Sequence, residues 1–294
     1  MGERRRSLLV GVALIGPALL VLLLVFLWLM ASYLWLSFHA QNLFTDLQPV
    51  PVGMLNWRRL VLDARFWQDA AQTLRFALVS VSMELGLGLA MALLLNQRWR
   101  GRGLVRSLTL LPWALPTTVM ALGWRWIFND PSGPINGVIG GLTGSTVPFL
   151  ASPSLAWLAV VLADVWKTTP FVALLLLAGL QMIPADLYEA LALEGGNARQ
   201  ALLRITLPLL RPYLLLVLLF RLAQALGVFD LIVVLTGGGP ASSTESVAGY
   251  AYLNAMRFLD FGYSATVMIG MFAVLLLLGG VLLLVLRRPA RFQP

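Results

Sequence analysis

The amino-acid sequence predicts an all-α protein that crosses a membrane six times as a single domain over residues 1–294. Three observations carry this. Hydrophobic residues make up 59% of the chain and charged residues only 12%, whereas about a quarter of a water-soluble domain is charged. Six apolar stretches, near 11–36, 73–95, 105–128, 155–179, 213–235 and 264–286, reach the roughly 20 residues a helix needs to cross a bilayer core with its backbone satisfied internally. The basic residues then fall unevenly between the two sets of flanks.

The first stretch follows Glu3-Arg4-Arg5-Arg6, and its apolar run from Ser7 to Phe38 is much longer than the roughly 7–15 residues of a secretion-signal core. It is expected to be an uncleaved first span. With the amino terminus inside, thirteen arginines flank the cytoplasmic ends, against Arg58, Arg59, Arg65, Arg75, Arg125 and Arg257 on the other side. This asymmetry places both termini in the cytoplasm. The net charge of +8 thus follows topology; basic residues scattered between apolar runs are no nucleic-acid surface. Three outer connections, near 37–72, 129–154 and 236–263, are rich in Pro, Gly, Asn and Trp, as interfacial loops are. The chain has no cysteine and one histidine, His39, which excludes thiolate zinc sites, disulfides and histidine metal clusters.

Between the fourth and fifth stretches, residues 183–197 are neither a span nor a plain linker. Pro184 suits a first helical position, Asp186 and Glu189 complement the positive end of a helix dipole, and Gly195 suits a left-handed terminus. Asn197 then caps a second run, Ala198 to Thr206, which Pro208 is expected to close. Leu187, Ala190, Leu191 and Glu194 share a face by their three- and four-residue spacing, so the first helix can dock into a partner's groove.

Glu189-Ala190-Leu191, then Gly195, then Ile205-Thr206-Leu207-Pro208 resembles the EAA loop of binding-protein-dependent ABC importer permeases. Leu191 stands where the family has a second alanine, and Gly196 often corresponds to alanine. Further stretches, Leu110–Pro116, Val165–Phe171, Leu175–Leu180, Val228–Asp230 and Leu235–Pro240, are similar to the maltose, trehalose and glycerol-phosphate branch, with the trehalose-type sugar permease nearest and glucosylglycerol-type systems nearby. The likeness runs from about Leu8 to Arg288. It implies a type I ABC importer permease fold and ATPase-coupling roles for Glu189, Ala190, Leu191, Glu194 and Gly195. It also implies a second, similar permease, two ATPase subunits and an extracytoplasmic solute-binding protein as partners. The solute would be sugar-like, a disaccharide or a glucosylglycerol-like compatible solute, and the chain would not be an enzyme. No Walker sequence is present, and Gly237-Gly-Gly239 lacks the Lys-Ser or Lys-Thr of a phosphate cradle, so ATP and magnesium belong to the ATPases.

Glu84, Asp164, Lys167 and Arg221 fall within expected spans, where ionisable groups are costly and mark functional sites. Their charges cancel, and Asp164 and Lys167 are three apart on one helix, so an ion-paired structural network accounts for them without a ligand. Gln224, on the face of Arg221, and Asp230 are candidates for solute hydroxyls. Trp113, Thr117, Met120 and Trp124 form one stripe by spacing, able either to face a sugar ring or to pack and anchor the third span. An ion-gradient transporter working through Glu84, Asp164 and Asp230 is the alternative, but it leaves the capped helix pair outside the membrane unexplained.

Overall fold

The computed structural model describes residues 2–286, with side chains described from 15 to 281. Helix α1 (Gly2–Leu36) leads into a two-stranded antiparallel pairing of β1 (His39–Ala40) with β2 (Val50–Pro51), followed by α2 (Leu55–Leu62) and α3 (Ala64–Asn96). Next come α4 (Arg102–Thr109), α5 (Leu111–Ala114), α6 (Thr117–Ile127), α7 (Pro134–Thr143) and α8 (Pro153–Gln181). The remainder is α9 (Asp186–Leu193), α10 (Ala198–Gln200), a π-helical turn (Ala201–Thr206), α11 (Leu207–Leu226), α12 (Asp230–Leu235), α13 (Val247–Met256) and α14 (Phe261–Leu286).

Five helical runs, Ile15–Leu36, Ala64–Asn96, Pro153–Gln181, Ala198–Leu226 and Phe261–Val281, are long and apolar enough to cross a membrane. The third expected span is different: α4, α5 and α6 share it. Leu115 precedes a proline and is extended (ψ 137°), as the proline ring disfavours helical geometry one residue before it. The fifth expected span is shifted. It begins at Ala198 and ends at Leu226, and Gly227–Phe229 separates it from α12.

Pro208 does not close the second loop helix, because the π-helical turn absorbs it. Leu207 N–H donates to the carbonyl of Leu202, five residues back, and this wider turn relieves the clash a proline ring makes with an ordinary helical carbonyl. The run therefore continues into the membrane.

The chain divides into two compact units, one built from the residues up to Phe66 with Tyr250–Leu276, the other centred on Trp67–Gly249. In the first unit the corner between α2 and α3 is tied to α13 and α14 through one carboxylate. Asp63 Oδ1 accepts from the Arg65 and Phe66 amides at 2.9 and 3.3 Å. Its Oδ2 accepts from the Tyr250 hydroxyl at 2.6 Å and from the Tyr263 hydroxyl. Arg59 stacks 3.7 Å above the Tyr263 ring and pairs with Asp260 at 2.7 Å.

Burial opposes ionisation of Asp63, but the two tyrosine bonds and the two amides outweigh it and hold the carboxyl below its ordinary value. Burial, then the bond to Asp63, pushes Tyr250 up to about 12. A carboxylate with a depressed pKa stabilises the fold above its unfolded value of about 3.9, and that stability is lost as pH falls through the folded value. Asp63→Asn is therefore expected to cost about 1–3 kcal/mol at pH 7. Thermal unfolding in detergent should show the gap to the parent chain closing as the pH is lowered below about 4.

In the second unit α3, α8 and α11 share a core of Ala92, Leu95, Val172, Leu176, Leu177, Leu180, Leu210 and Val217. Close approach depends on missing side chains. A Cβ at Gly88 would lie 2.5 Å from Val172 Cγ1, and one at Gly179 would lie 2.5 Å from the Tyr213 ring; small residues let helices meet where lipid supplies no hydrophobic drive. The connection after α6 is knitted by Asp130, which accepts from Asn136 and from the amides of Phe149 and Leu150 at 2.9–3.1 Å. The triglycine stretch is a turn, with Gly237 and Gly238 at φ +65° and +86° and the Thr236 and Thr244 hydroxyls 2.7 Å apart beneath it.

Candidate functional site: a cavity between interrupted spans

Two breaks create the site. The Leu115–Pro116 break leaves the Leu115 carbonyl outside any helical ladder, and the Gly227–Phe229 break does the same for Val228. Irregular backbone at membrane depth is tolerated only where protein or a water-filled cavity satisfies it. Here side chains do so. Lys167 Nζ donates to the Leu115 carbonyl at 2.7 Å and to Thr117 Oγ1 at 3.0 Å, and the Ser246 hydroxyl donates to the Val228 carbonyl at 2.7 Å.

Behind the cavity lies a buried charge triad. Arg221 on α11 donates through Nε and Nη2 to Glu84 on α3 at 2.6 and 2.9 Å, and through Nη2 to Asp164 on α8 at 3.2 Å. Glu84 is wholly buried, Arg221 3% exposed and Asp164 9% exposed. A forked guanidinium meeting one carboxylate with two bonds is the strongest form of such a pair. The third Arg221 nitrogen, Nη1, donates to Gln224 Oε1 at 2.5 Å. The expected pairing of Asp164 with Lys167 does not form. Arg221, arriving from another helix, reaches Asp164, while Lys167 turns to the third span.

The open space in front has a volume of about 440 Å³ and is lined by Trp113, Thr117, Met120, Asp164, Lys167, Thr168, Arg221, Gln224 and residues 227–231. Six of the predicted pathway residues, Trp113, Thr117, Lys167, Arg221, Gln224 and Asp230, thus meet on one cavity. Trp124 does not; it packs 5.4 Å from Phe128 and 5.8 Å from Trp166, because the bend at Pro116 takes α6 off the line of α5. Trp113 stacks on Phe171 at 4.9 Å and 10°, and Phe171 meets Phe220 at 5.5 Å.

The cavity wall sets polar side chains beside an aromatic face. Among the described residues Gln224 uses Oε1 alone, so its amide N–H groups stay uncommitted. Asp230, exposed in the first turn of α12, accepts no hydrogen bond among the described residues. Sequence reasoning missed Phe171, Thr168 and the Leu115 carbonyl. A Trp–Phe stack across helices leaves no periodic signal, but Pro116 marks the carbonyl in advance.

The loop residues lie at the other end of α11. Helix α9 starts at Asp186, two residues after Pro184, and ends at Leu193, with Glu194 as its cap and Gly195 beyond it in the left-handed region (φ +78°). The Gly195 amide bonds to Ala192 at 3.0 Å and the Gly196 amide to Leu191 at 2.8 Å, a double closure that needs a left-handed residue in the middle. Glu189, Ala190 and Glu194 are exposed, Leu191 is half-buried, and Leu193 is 91% exposed. Asn197 and Gln200 bond reciprocally at 2.8 and 2.9 Å in a capping box. The Tyr188 hydroxyl lies 2.9 Å from that of Thr206, which itself donates to the Ala201 carbonyl at 3.2 Å. Helix α9 is thereby fastened to the foot of α11. Among the described residues, no group of three or more His, Cys, Asp or Glu could hold a metal ion.

Comparison with known proteins gives a consistent set of likenesses. Residues 84–291 match the family described as binding-protein-dependent transport system inner membrane component. The chain is 42% identical to the trehalose/maltose transport system permease protein MalF of Thermococcus litoralis, covering 92% of this chain and 91% of that one. It is 36% identical to the sulfoquinovosyl glycerol transport system permease protein SmoG of Agrobacterium fabrum, covering 98% and 92%. Among solved structures, a chain of the bacterial alginate ABC transporter in complex with its alginate pentasaccharide-bound periplasmic protein matches with a TM-score of 0.80 at 22% identity, over 97% of this chain and 96% of that one.

Proposed function

We propose, from the premise that this chain belongs to the family of binding-protein-dependent transport system inner membrane components, that it is the permease of an ATP-driven importer for a small, uncharged sugar or sugar-like solute. The observation that carries the solute class is the cavity. An uncommitted amide at Gln224, a carboxylate at Asp230, a hydroxyl at Thr117 and the indole of Trp113 converge on one space. These are the groups that bind sugar hydroxyls and the apolar face of a sugar ring. Arg221 is already neutralised by Glu84 and Asp164, and Asp230 offsets Lys167, so nothing in the wall calls for an anion. The relative named for trehalose/maltose transport fits the neutral class; the one named for sulfoquinovosyl glycerol transport shares the sugar but adds a sulfonate.

The rest of the assembly follows from the loop and the breaks. Helix α9, with Leu193 nearly free of its own chain, seats in a cleft of an ATPase subunit through Glu189, Ala190, Leu191, Glu194 and Gly195. Two such ATPases, holding ATP and magnesium, serve this chain and a second, similar permease that closes the open side of the cavity. A solute-binding protein docks on the outer face, and both termini lie in the cytoplasm, a reading the arginine distribution supports.

The test is ATP hydrolysis by the complex reconstituted from this chain, its partner permease, the ATPases and the binding protein. Trehalose, maltose, sucrose, glucosylglycerol and glycerol phosphate are each to be delivered by the binding protein. Stimulation by one or two neutral sugars is expected, and Gln224→Ala and Asp230→Asn should each raise the half-saturating concentration about tenfold. Uptake that follows an ion gradient and needs no ATP would overturn the importer reading; stimulation by glycerol phosphate alone would overturn the neutral-solute reading.

A further inference from the structure

We propose that Lys167 is a positioning residue that holds the outer half of the third span in place, and that it is not a solute ligand. The inference goes beyond the reading of the cavity, which takes solute on Gln224, Asp230, Thr117 and Trp113.

It begins with the backbone. In an unbroken helix the Leu115 carbonyl would accept the amide of residue 119. The extended geometry imposed on Leu115 by Pro116 removes that bond, and the next carbonyl, that of Pro116, accepts from Met120 at 3.1 Å to start α6. The Leu115 carbonyl is thus orphaned at membrane depth, where an unsatisfied group is costly. Lys167 bonds to it at 2.7 Å, and its second bond at 3.0 Å is to Thr117, the first residue of α6. One ammonium therefore grips both sides of the break. Lys167 borders the space, but two of the three donors on its head are already committed to the Leu115 carbonyl and the Thr117 hydroxyl.

The second break gives the reason for the grip. Helix α12 follows the Gly227–Phe229 interruption, and Arg125 near the end of α6 donates to the Val234 carbonyl on α12 at 3.3 Å. Ser246 fills, at Val228, the role that Lys167 fills at Leu115. The segments beyond both breaks form one paired wall of the cavity, pinned at each interruption by a side chain from elsewhere. Releasing the Lys167 pin frees α6 to swing on Pro116.

The decisive experiment is a cycle of Lys167→Met, Pro116→Ala and the double variant in the reconstituted complex. The chain has no cysteine of its own, so paired spin labels at Leu122→Cys on α6 and Leu158→Cys on α8 report the wall directly. Lys167→Met is expected to broaden the label-to-label distance distribution and lower maximal uptake about tenfold, with the half-saturating solute concentration little changed. Pro116→Ala restores an amide donor and lets the helix continue, so the double variant should recover a narrow distribution and most of the uptake. If the Pro116→Ala chain does not assemble, Lys167→Arg replaces it: a guanidinium still reaches the carbonyl and should keep the narrow distribution that Lys167→Met loses. A raised half-saturating concentration with an unchanged distance distribution, and no rescue by Pro116→Ala, would make Lys167 a solute ligand and overturn the proposal.

Discussion

Gly195→Val is expected to abolish the link between ATP hydrolysis and uptake while leaving the protein assembled in the membrane. Gly195 sits at φ +78°, a region that a β-branched residue enters only at a cost of about 1–3 kcal/mol. The strain is relieved only by giving up the bonds with which the Gly195 and Gly196 amides close the end of α9 on Ala192 and Leu191. The helix end should unwind, and α9 would lose the geometry that fits a partner. Solute-stimulated ATP hydrolysis should fall at least about a hundredfold if seating is lost, with thermal stability of the isolated permease nearly unchanged. Gly195→Asn separates two causes. Asparagine tolerates the left-handed region, and a Cβ here meets nothing within 4 Å in this chain, so near-normal coupling in Asn but not Val assigns the effect to backbone geometry. Unaltered uptake in Gly195→Val would remove this loop from the coupling role.

The second large effect belongs to Arg221→Met, which should prevent accumulation of folded protein. The guanidinium is the only counter-charge in contact with Glu84 and Asp164 among the described residues. Its removal leaves two buried carboxylates facing each other, and breaking such a pair typically costs about 3–5 kcal/mol, a large fraction of a domain stability of about 5–15 kcal/mol. Adding Glu84→Gln and Asp164→Asn to the same chain removes the stranded charges and should restore much of the detergent-solubilised yield and melting temperature. A single variant that folds normally yet fails to transport would reassign Arg221 to the solute.

The spans and the loop were legible because they depend on short-range rules. A run of apolar residues has to be helical in lipid, and Asn197 with Gln200 caps a helix whatever surrounds it. The breaks were legible only in part. Pro116 stood in view, but its consequence for Leu115 is a backbone matter that an apolar count over 105–128 cannot register. Pro208 misled in the opposite direction, since a π-helical turn let the helix pass through a residue expected to end it. The ion pairing went astray for a similar reason. Three-residue spacing within one helix favoured Asp164 with Lys167, and nothing local announces that Arg221, 57 positions away, competes better. The hub at Asp63 was out of reach altogether, its tyrosines lying 187 and 200 positions along the chain. Two departures from the family pattern now explain one another: the Leu191 side chain occupies the place a Gly196 Cβ would need, 2.6 Å from Leu191 Cδ1, so the larger residue at one position accompanies the smaller at the other.

The bond between Tyr188 and Thr206 has a mechanical corollary. Thr206 and Arg221 stand on one continuous helical run, fifteen residues apart, or about 22 Å at 1.5 Å per residue. A stiff rod of that length converts a tilt of about 10° at its foot into a stroke of nearly 4 Å at its far end. The far end is the arginine that Glu84 and Asp164 clasp, with Gln224 one turn beyond. Rocking α9 would therefore displace the Gln224 amide by more than the length of a hydrogen bond, about 3 Å, with no bond in the rod itself needing to change.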